Sequence, residues 1–222
     1  MIERPFAIFR QYEDRVRVRL YGRADGIMNR ADVERFEGQP VADAEQTHGP
    51  ISVRVEDPGT SAGADGVMTD ARGLALSSRS ADCQAFAVYD TVKNVGGVLH
   101  SGWPGLVKGA IPTFMEALRD EWGSDPTDLV IGIGPSLCLA CGEFTDPVRE
   151  LPTIDPRFFH GRLVDLRGIA DDQWTSLGVK PGNIERHPDC SKCDVNRWWS
   201  LRGGDKEAMA KGARNILSIS LR

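Results

Sequence analysis

AFAVYDTVKNVGGVLHSGW, residues 85–103, decides the fold. It holds two continuous apolar runs, 85–89 and 95–99, separated by polar, turn-forming residues. Short unbroken apolar runs are the pattern of strands buried on both faces, and 129–133 is a third. Working outward, three segments alternate with period two, as half-buried strands do. They are Val16, Val18 and Leu20 between the arginines of RVRVRLY; Ile51, Val53 and Val55 in ISVRVE; and Leu217, Ile219 and Leu221. Helical spacing joins Ile111, Phe114, Met115, Leu118 and Trp122 into one apolar stripe. Pro112 fits its first turn, where the missing N–H costs nothing, and Gly123 is its stop. A second helix is expected over about 166–177, capped by Asp165 and ended by Gly178, and a third over 205–214. Residues 57–65, DPGTSAGAD, read as a loop, because Pro, Gly and Ser punctuate them without periodicity. There is no repeat and no long linker, and strands outnumber helices, so the expectation is a single layered α+β domain over residues 1–222.

Composition narrows the function classes. Apolar residues make up 41% and charged residues 27%, an ordinary globular balance, and the net charge is −5. A mildly acidic chain has no electrostatic reason to grip a phosphate backbone, so nucleic acid is not an expected partner. No run nears the roughly 20 apolar residues of a membrane-spanning helix, so no membrane partner is expected either. The opening residues Met1-Ile2-Glu3-Arg4-Pro5 lack the apolar stretch of an export signal, and the expected compartment is the cytoplasm. There, clustered cysteines point to metal binding or catalysis rather than to disulfides.

Two constellations stand out. His48 precedes a Gly-Pro turn, Cys83 lies just ahead of the first apolar run, and His100 ends the second. Functional groups converge at such strand ends, and two imidazoles with one thiolate leave an open position, as in a catalytic zinc site. The separations of 35 and 17 residues match no local metal motif, so spacing alone favours a buried cysteine with two satisfied histidines. The second constellation is Cys138-x-x-Cys141 with Cys190-x-x-Cys193. Two such turns can close a tetrahedral structural site, or be unrelated turns, or hold one redox pair. Gly132-Ile133-Gly134-Pro135 is half of a nucleotide fingerprint with no helical pattern after it, and reads as a tight turn with close backbone approach. His160 and His187 read as surface or satisfied positions, and Trp198-Trp199 as core.

Taken together, Gln46-Thr47-His48-Gly49, Ala64-Asp65-Gly66-Val67-Met68-Thr69, Ala81-Asp82-Cys83 with Tyr89-Asp90, His100-Ser101-Gly102-Trp103, Ile133-Gly134-Pro135-Ser136 and Trp199-Ser200-Leu201-Arg202 with Ala213-Arg214-Asn215 resemble, in that order, the YfiH-type family. It is also called the laccase-domain or multicopper polyphenol oxidase family. The resemblance covers about residues 40–222. It implies packed sheets flanked by helices, and a zinc or copper site built from His48, Cys83 and His100. It also implies a purine nucleoside substrate: phosphorolysis of adenosine, inosine or methylthioadenosine, or deamination of adenosine. Gln46 and Asp82 take orienting roles beside the metal by adjacency. The chain departs from the family pattern at Pro104, where an arginine is usual. Proline cannot replace a guanidinium fork, so either water is the acceptor or Arg79 or Arg202 supplies the charge for phosphate.

A true multicopper oxidase needs a copper held by two histidines and a cysteine, plus a three-copper cluster built almost wholly of imidazoles. Four histidines cannot supply it, whereas one copper competing for a zinc site is compatible with them. The alternatives to a metal-dependent nucleoside enzyme are a metal-free hydrolase, with Cys83 as nucleophile and His100 as base, and a non-enzymatic metal-binding protein.

Overall fold

In the computed structural model, which describes residues 1–222, every apolar run and alternating segment named above forms a strand. The chain runs β1 (Val16–Tyr21), α1 (Arg30–Glu37), β2 (Val41–Ala44), β3 (Ser52–Arg54), β4 (Gly59–Ser61), β5 (Gly66–Thr69), β6 (Ala75–Ser80), β7 (Gln84–Asp90) and β8 (Val95–Ser101). It continues through α2 (Trp103–Val107), α3 (Ala110–Trp122), β9 (Leu129–Ile133), α4 (Pro147–Glu150), β10 (Phe159–His160) and β11 (Leu163–Val164). Last come α5 (Leu166–Ser176), β12 (Ile184–Arg186), α6 (Lys206–Ala210) and β13 (Asn215–Leu221). No helix is long and apolar enough to cross a membrane.

Two sheets pack face to face. One has the order β1-β13-β6-β2-β4, the other β12-β9-β7-β8-β5-β3. Val18, Leu20, Leu76, Leu217 and Ile219 of the first meet Val67, Ala85, Ala87, Tyr89 and Val98 of the second. The outer face of the six-stranded sheet carries Phe86, Val88, Leu99 and Ile131, which pack against Phe114 and Leu118 of α3 and Trp174 of α5. On the other side, α1 brings Val33 onto Tyr21, Val41 and Ile216. The layers are therefore helix, sheet, sheet, helix, an α+β architecture. Both faces of β7 and β8 are covered, which is why their sequence is apolar without alternation. Gly66 and Gly97 let the Phe114 ring press on the sheet: a Cβ at either would stand 2.8 or 2.7 Å from that ring.

The alternation in β1 has an unexpected partner. Its arginines do not simply face water. Arg17 and Arg19 donate to the buried Glu37 carboxylate at 3.0 and 3.3 Å, and the Tyr21 hydroxyl donates to it at 2.6 Å. α3 ends on Gly123 in the left-handed region, and Asp165 caps α5 by accepting from the Gly168 N–H.

Some local expectations are corrected. Within 57–65 lies β4, paired in parallel with β2; its three residues, Gly-Thr-Ser, carry no apolar side chain for periodicity to detect. The third helix spans only Lys206–Ala210, since Gly212 takes φ +108° and turns the chain into β13. Ile51 is 52% exposed instead of inward, because β3 begins one residue later at a sheet edge. Gly132 sits inside β9 under the Phe6 ring, and neither Gly132 nor Gly134 has a left-handed φ. The close approach there is made by a side chain, and no glycine turn forms.

Candidate metal centre

His48 lies in the loop that leaves β2 of one sheet for β3 of the other, and Cys83 in the turn that leaves β6 of one for β7 of the other. His100 is the penultimate residue of β8, opposite Ala85 of β7. Both crossings between sheets occur at the end of the sandwich where His100 sits, so residues 35 and 17 positions apart converge. Cys83 Sγ is 3.8 Å from His48 Nε2, and the ligand atoms of the three residues lie within 4.8 Å of one another. The two imidazoles meet edge-on with centroids 4.9 Å apart.

One buried carboxylate organises this trio. Asp65 Oδ1 bonds His100 Nδ1 at 2.9 Å and accepts the His48 N–H at 3.0 Å. Its Oδ2 accepts the Thr47 and Gly49 N–H groups at 3.0 and 2.7 Å. A single side chain thus orients one imidazole and fixes the loop that carries the other, as a carboxylate behind a metal-binding histidine does. Gly102 closes the floor: a Cβ there would stand 2.7 Å from Cys83 Sγ and 3.0 Å from the His48 ring. Backbone strain gathers here too. Gln46, His48 and Asp82 have φ of +67°, +59° and +85°, and Asn94 is the one other non-glycine residue with positive φ. Such conformations cost on the order of 1–3 kcal/mol each and cluster at functional sites.

Burial alone would raise the Cys83 thiol, but hydrogen bonds with the His100 and His48 rings override it and bring the thiol down to about 6. Burial works against a charged His100, yet the bonds to Asp65 and Cys83 raise it to about 9. Asp65 is held below the ordinary carboxylate range: burial opposes its charge, but the His100 ring and the backbone N–H groups outweigh that. The free protein therefore favours thiolate beside imidazolium. A cation can take the place of the proton between them. The donor spacing fits one: a tetrahedral zinc with N and S bonds of about 2.05 and 2.3 Å requires N···S near 3.6 Å, beside the 3.8 Å between His48 and Cys83.

Two cavities share His48, Cys83, Ala81 and Leu201 as a common wall. The larger, about 380 Å³, is lined by apolar Trp103, Leu106, Leu137 and Leu166 and by polar Asp82, Gln84, Ser101, Ser136 and Arg202. The smaller, about 220 Å³, has two cations, Arg79 and Arg214, and one carboxylate, Glu45, in its lining.

The family described as Multi-copper polyphenol oxidoreductase laccase matches residues 24–218. The chain belongs to this family. Over 93 residues it is 39% identical to "Purine nucleoside phosphorylase SCO2081" of Streptomyces coelicolor, covering 41% of this chain and 38% of that protein. Over 148 residues it is 30% identical to "Purine nucleoside phosphorylase LACC1" of Mus musculus, covering 61% of this chain and 34% of that protein. "Adenosine deaminase RL5", from an unknown prokaryotic organism, is 25% identical over 63% of this chain and 56% of its own length. The matches thus span about a third to just over half of these relatives' lengths. The solved structure of YlmD from Geobacillus stearothermophilus superposes with a TM-score of 0.75 at 23% identity, over 87% of this chain and 82% of that one, and shares its fold. The laccase family's descriptive name speaks of several coppers, but this member has no imidazole cluster for them. His160 is exposed on β10, and His187 packs edge-on against Trp198. Two groups of side chains have the donors and spacing to hold a metal ion: the His48–Cys83–His100 trio and one four-cysteine cluster.

The other residues picked from sequence are placed as follows. Gln46 spends its amide on Arg79, donating to its C=O at 2.6 Å and accepting its N–H at 2.9 Å. Asp82 accepts from the Ser191 and Ser200 hydroxyls at 2.8 and 2.6 Å and from the Arg202 N–H at 2.7 Å. Arg202 donates to the Cys141 and Glu143 carbonyls. Trp198 is core, and Trp199 lies under the Arg23 guanidinium at 3.9 Å. Cys138, Cys141, Cys190 and Cys193 come together. Sequence reasoning gave no role to Asp65, Ser136 or Arg214. All three were visible only as parts of family-like stretches, and the partners of Asp65 lie 16 to 35 residues away.

Proposed function

We propose that this chain is a metal-dependent purine nucleoside enzyme, cleaving the nucleoside with phosphate, with the His48–Cys83–His100 trio at its centre. The observation that carries the reading is that a three-donor cluster, backed by the buried Asp65, opens on a cavity of about 380 Å³ with apolar walls. That volume suits a small planar ligand with a polar appendage. The names of the relatives supply the substrate class.

When bound, a divalent zinc ion, or a copper competing for the same donors, supplies Lewis acidity at the junction of the two cavities. Trp103 and Leu166 offer faces for the purine, and Ser136 Oγ, buried without a partner, offers it a hydrogen bond. Arg79 and Arg214 form no ion pair: their guanidinium groups donate only to backbone carbonyls, those of Ala44 and Glu45 and those of Met209 and Ala213. Arg79 and Arg214 both line the smaller cavity, and burial together with Arg79 lowers the Arg214 pKa, so an anion there relieves them. Hydrogen phosphate held by this pair attacks C1′, the bond to the purine nitrogen breaks, and the base leaves with the electron pair and takes up the proton that the phosphate gives up. Pro104 lines the larger cavity, so the position where the family pattern has arginine is not the source of that charge in this chain.

A second reading, adenosine deamination, is favoured by the three-donor set, which leaves a fourth position free for water. A metal-free hydrolase is favoured by the low pKa of Cys83 beside His100. Metal-analysed protein incubated with adenosine, inosine and methylthioadenosine, with and without phosphate, separates these readings. Free base that appears only with phosphate is expected. Inosine formed from adenosine instead selects deamination, and turnover that survives a chelator selects the thiol enzyme.

A further inference from the structure

The four cysteines outside the trio are unused by this reading. Cys138 and Cys141 flank the 3-10 turn after Ser136 and Leu137, and Cys190 and Cys193 occupy a turn about 50 residues further on. Cys193 Sγ is 3.9 Å from Cys138 Sγ and 3.6 Å from Cys141 Sγ, and all four sulfurs lie within 4.8 Å of one another. A tetrahedron with zinc–sulfur bonds of about 2.3 Å has S···S edges near 3.8 Å. A disulfide needs about 2.0 Å, and all four cysteines are free. The Cys138 N–H donates to Cys190 Sγ at 3.3 Å. The backbone is braced to hold this spacing: Ser136 bridges Cys190, and the Arg167 guanidinium bonds the Ser136, Leu137 and Asp189 carbonyls. An all-sulfur tetrahedral set selects zinc or iron over harder cations, and with four protein donors it has no open position.

We infer that Cys138, Cys141, Cys190 and Cys193 form a second, closed zinc site that staples one wall of the nucleoside cavity. The two turns it joins carry that wall. Ser136 and Leu137 lead directly into the first turn, and Leu201 and Arg202 come from the segment that follows the second. The second turn supplies Ser191, and the segment after it Ser200 and the Arg202 N–H, to Asp82, the neighbour of Cys83. The site itself stands independently of the nucleoside reading.

The test uses the full chain and metal rather than turnover. Protein purified with zinc carries two equivalents, and Cys83→Ser carries one. In Cys83→Ser, an organomercurial releases that zinc as four thiols react, and cobalt in its place gives sulfur-to-metal charge-transfer absorption. The paired variant Cys138→Ser, Cys193→Ser loses one equivalent and speeds hydrogen exchange at the Arg202 amide. Zinc release unlinked to the four thiols overturns the inference. So does an undiminished metal content in the paired variant, or a Cys141–Cys193 disulfide in protein isolated without reductant. Unchanged exchange at Arg202 overturns the stapling role.

Discussion

Asp65→Asn isolates the carboxylate that no local pattern reveals. It keeps the size and one oxygen but replaces the other with a donor. Oδ1 can still serve His48 N–H and His100 Nδ1, while the new NH₂ faces the Thr47 and Gly49 N–H groups that Oδ2 accepts at 3.0 and 2.7 Å. Each donor left unpaired costs about 1–3 kcal/mol, and because Thr47 is exposed the low end applies, giving about 2 kcal/mol in all. For a chain of this size that is a drop in Tm of about 4–8 °C. The variant also removes the charge that holds the His100 ring to its task, which costs roughly 10–100-fold in metal affinity. Calorimetry of the metal-free protein reads the first effect, and titration against a chromophoric chelator the second. A variant that melts with the parent and binds metal within threefold of it refutes the claim that Asp65 organises the centre.

Other consequences follow from the same geometry. Gly102→Ala pushes a methyl toward Cys83 Sγ and is expected to cost about 1–3 kcal/mol and most of the metal at the trio, read by metal analysis of folded protein. In chelated protein, iodoacetamide labelling of Cys83 should rise with pH through a midpoint near 6, the thiolate being the reactive form, and His100→Gln should move that midpoint upward. Arg79→Gln is expected to raise the KM for phosphate about 10–100-fold with the nucleoside KM little changed, because one charge-assisted bond is worth about 1.5–3 kcal/mol; equal effects on both would reject Arg79 as an anion ligand. His48→Ala, Cys83→Ala and His100→Ala should each abolish base release, and full turnover in any one removes that residue from the site.

The apolar runs and alternating segments determine β1, β3, β7, β8, β9 and β13 unaided, because burial on one or two faces writes itself into periods of two or none, while short strands such as Val41–Ala44 and Gly66–Thr69 are too brief to show a period. The stripe from Ile111 to Trp122 and the Asp165 cap do the same for the helices. Polar Gly59–Ser61 escapes this reading: a strand held by backbone hydrogen bonds alone leaves no hydrophobic trace. The two C-x-x-C turns show in sequence that each pair of thiols is close, since a tight turn fixes that distance locally. Nothing local joins one turn to the other, or His48 to Cys83 and His100. Those meetings depend on where the loops between the two sheets cross, and on Asp65 bonding groups 16 to 35 residues away. Contacts at such range are set by the packing of whole layers, so chain spacing carries no record of them.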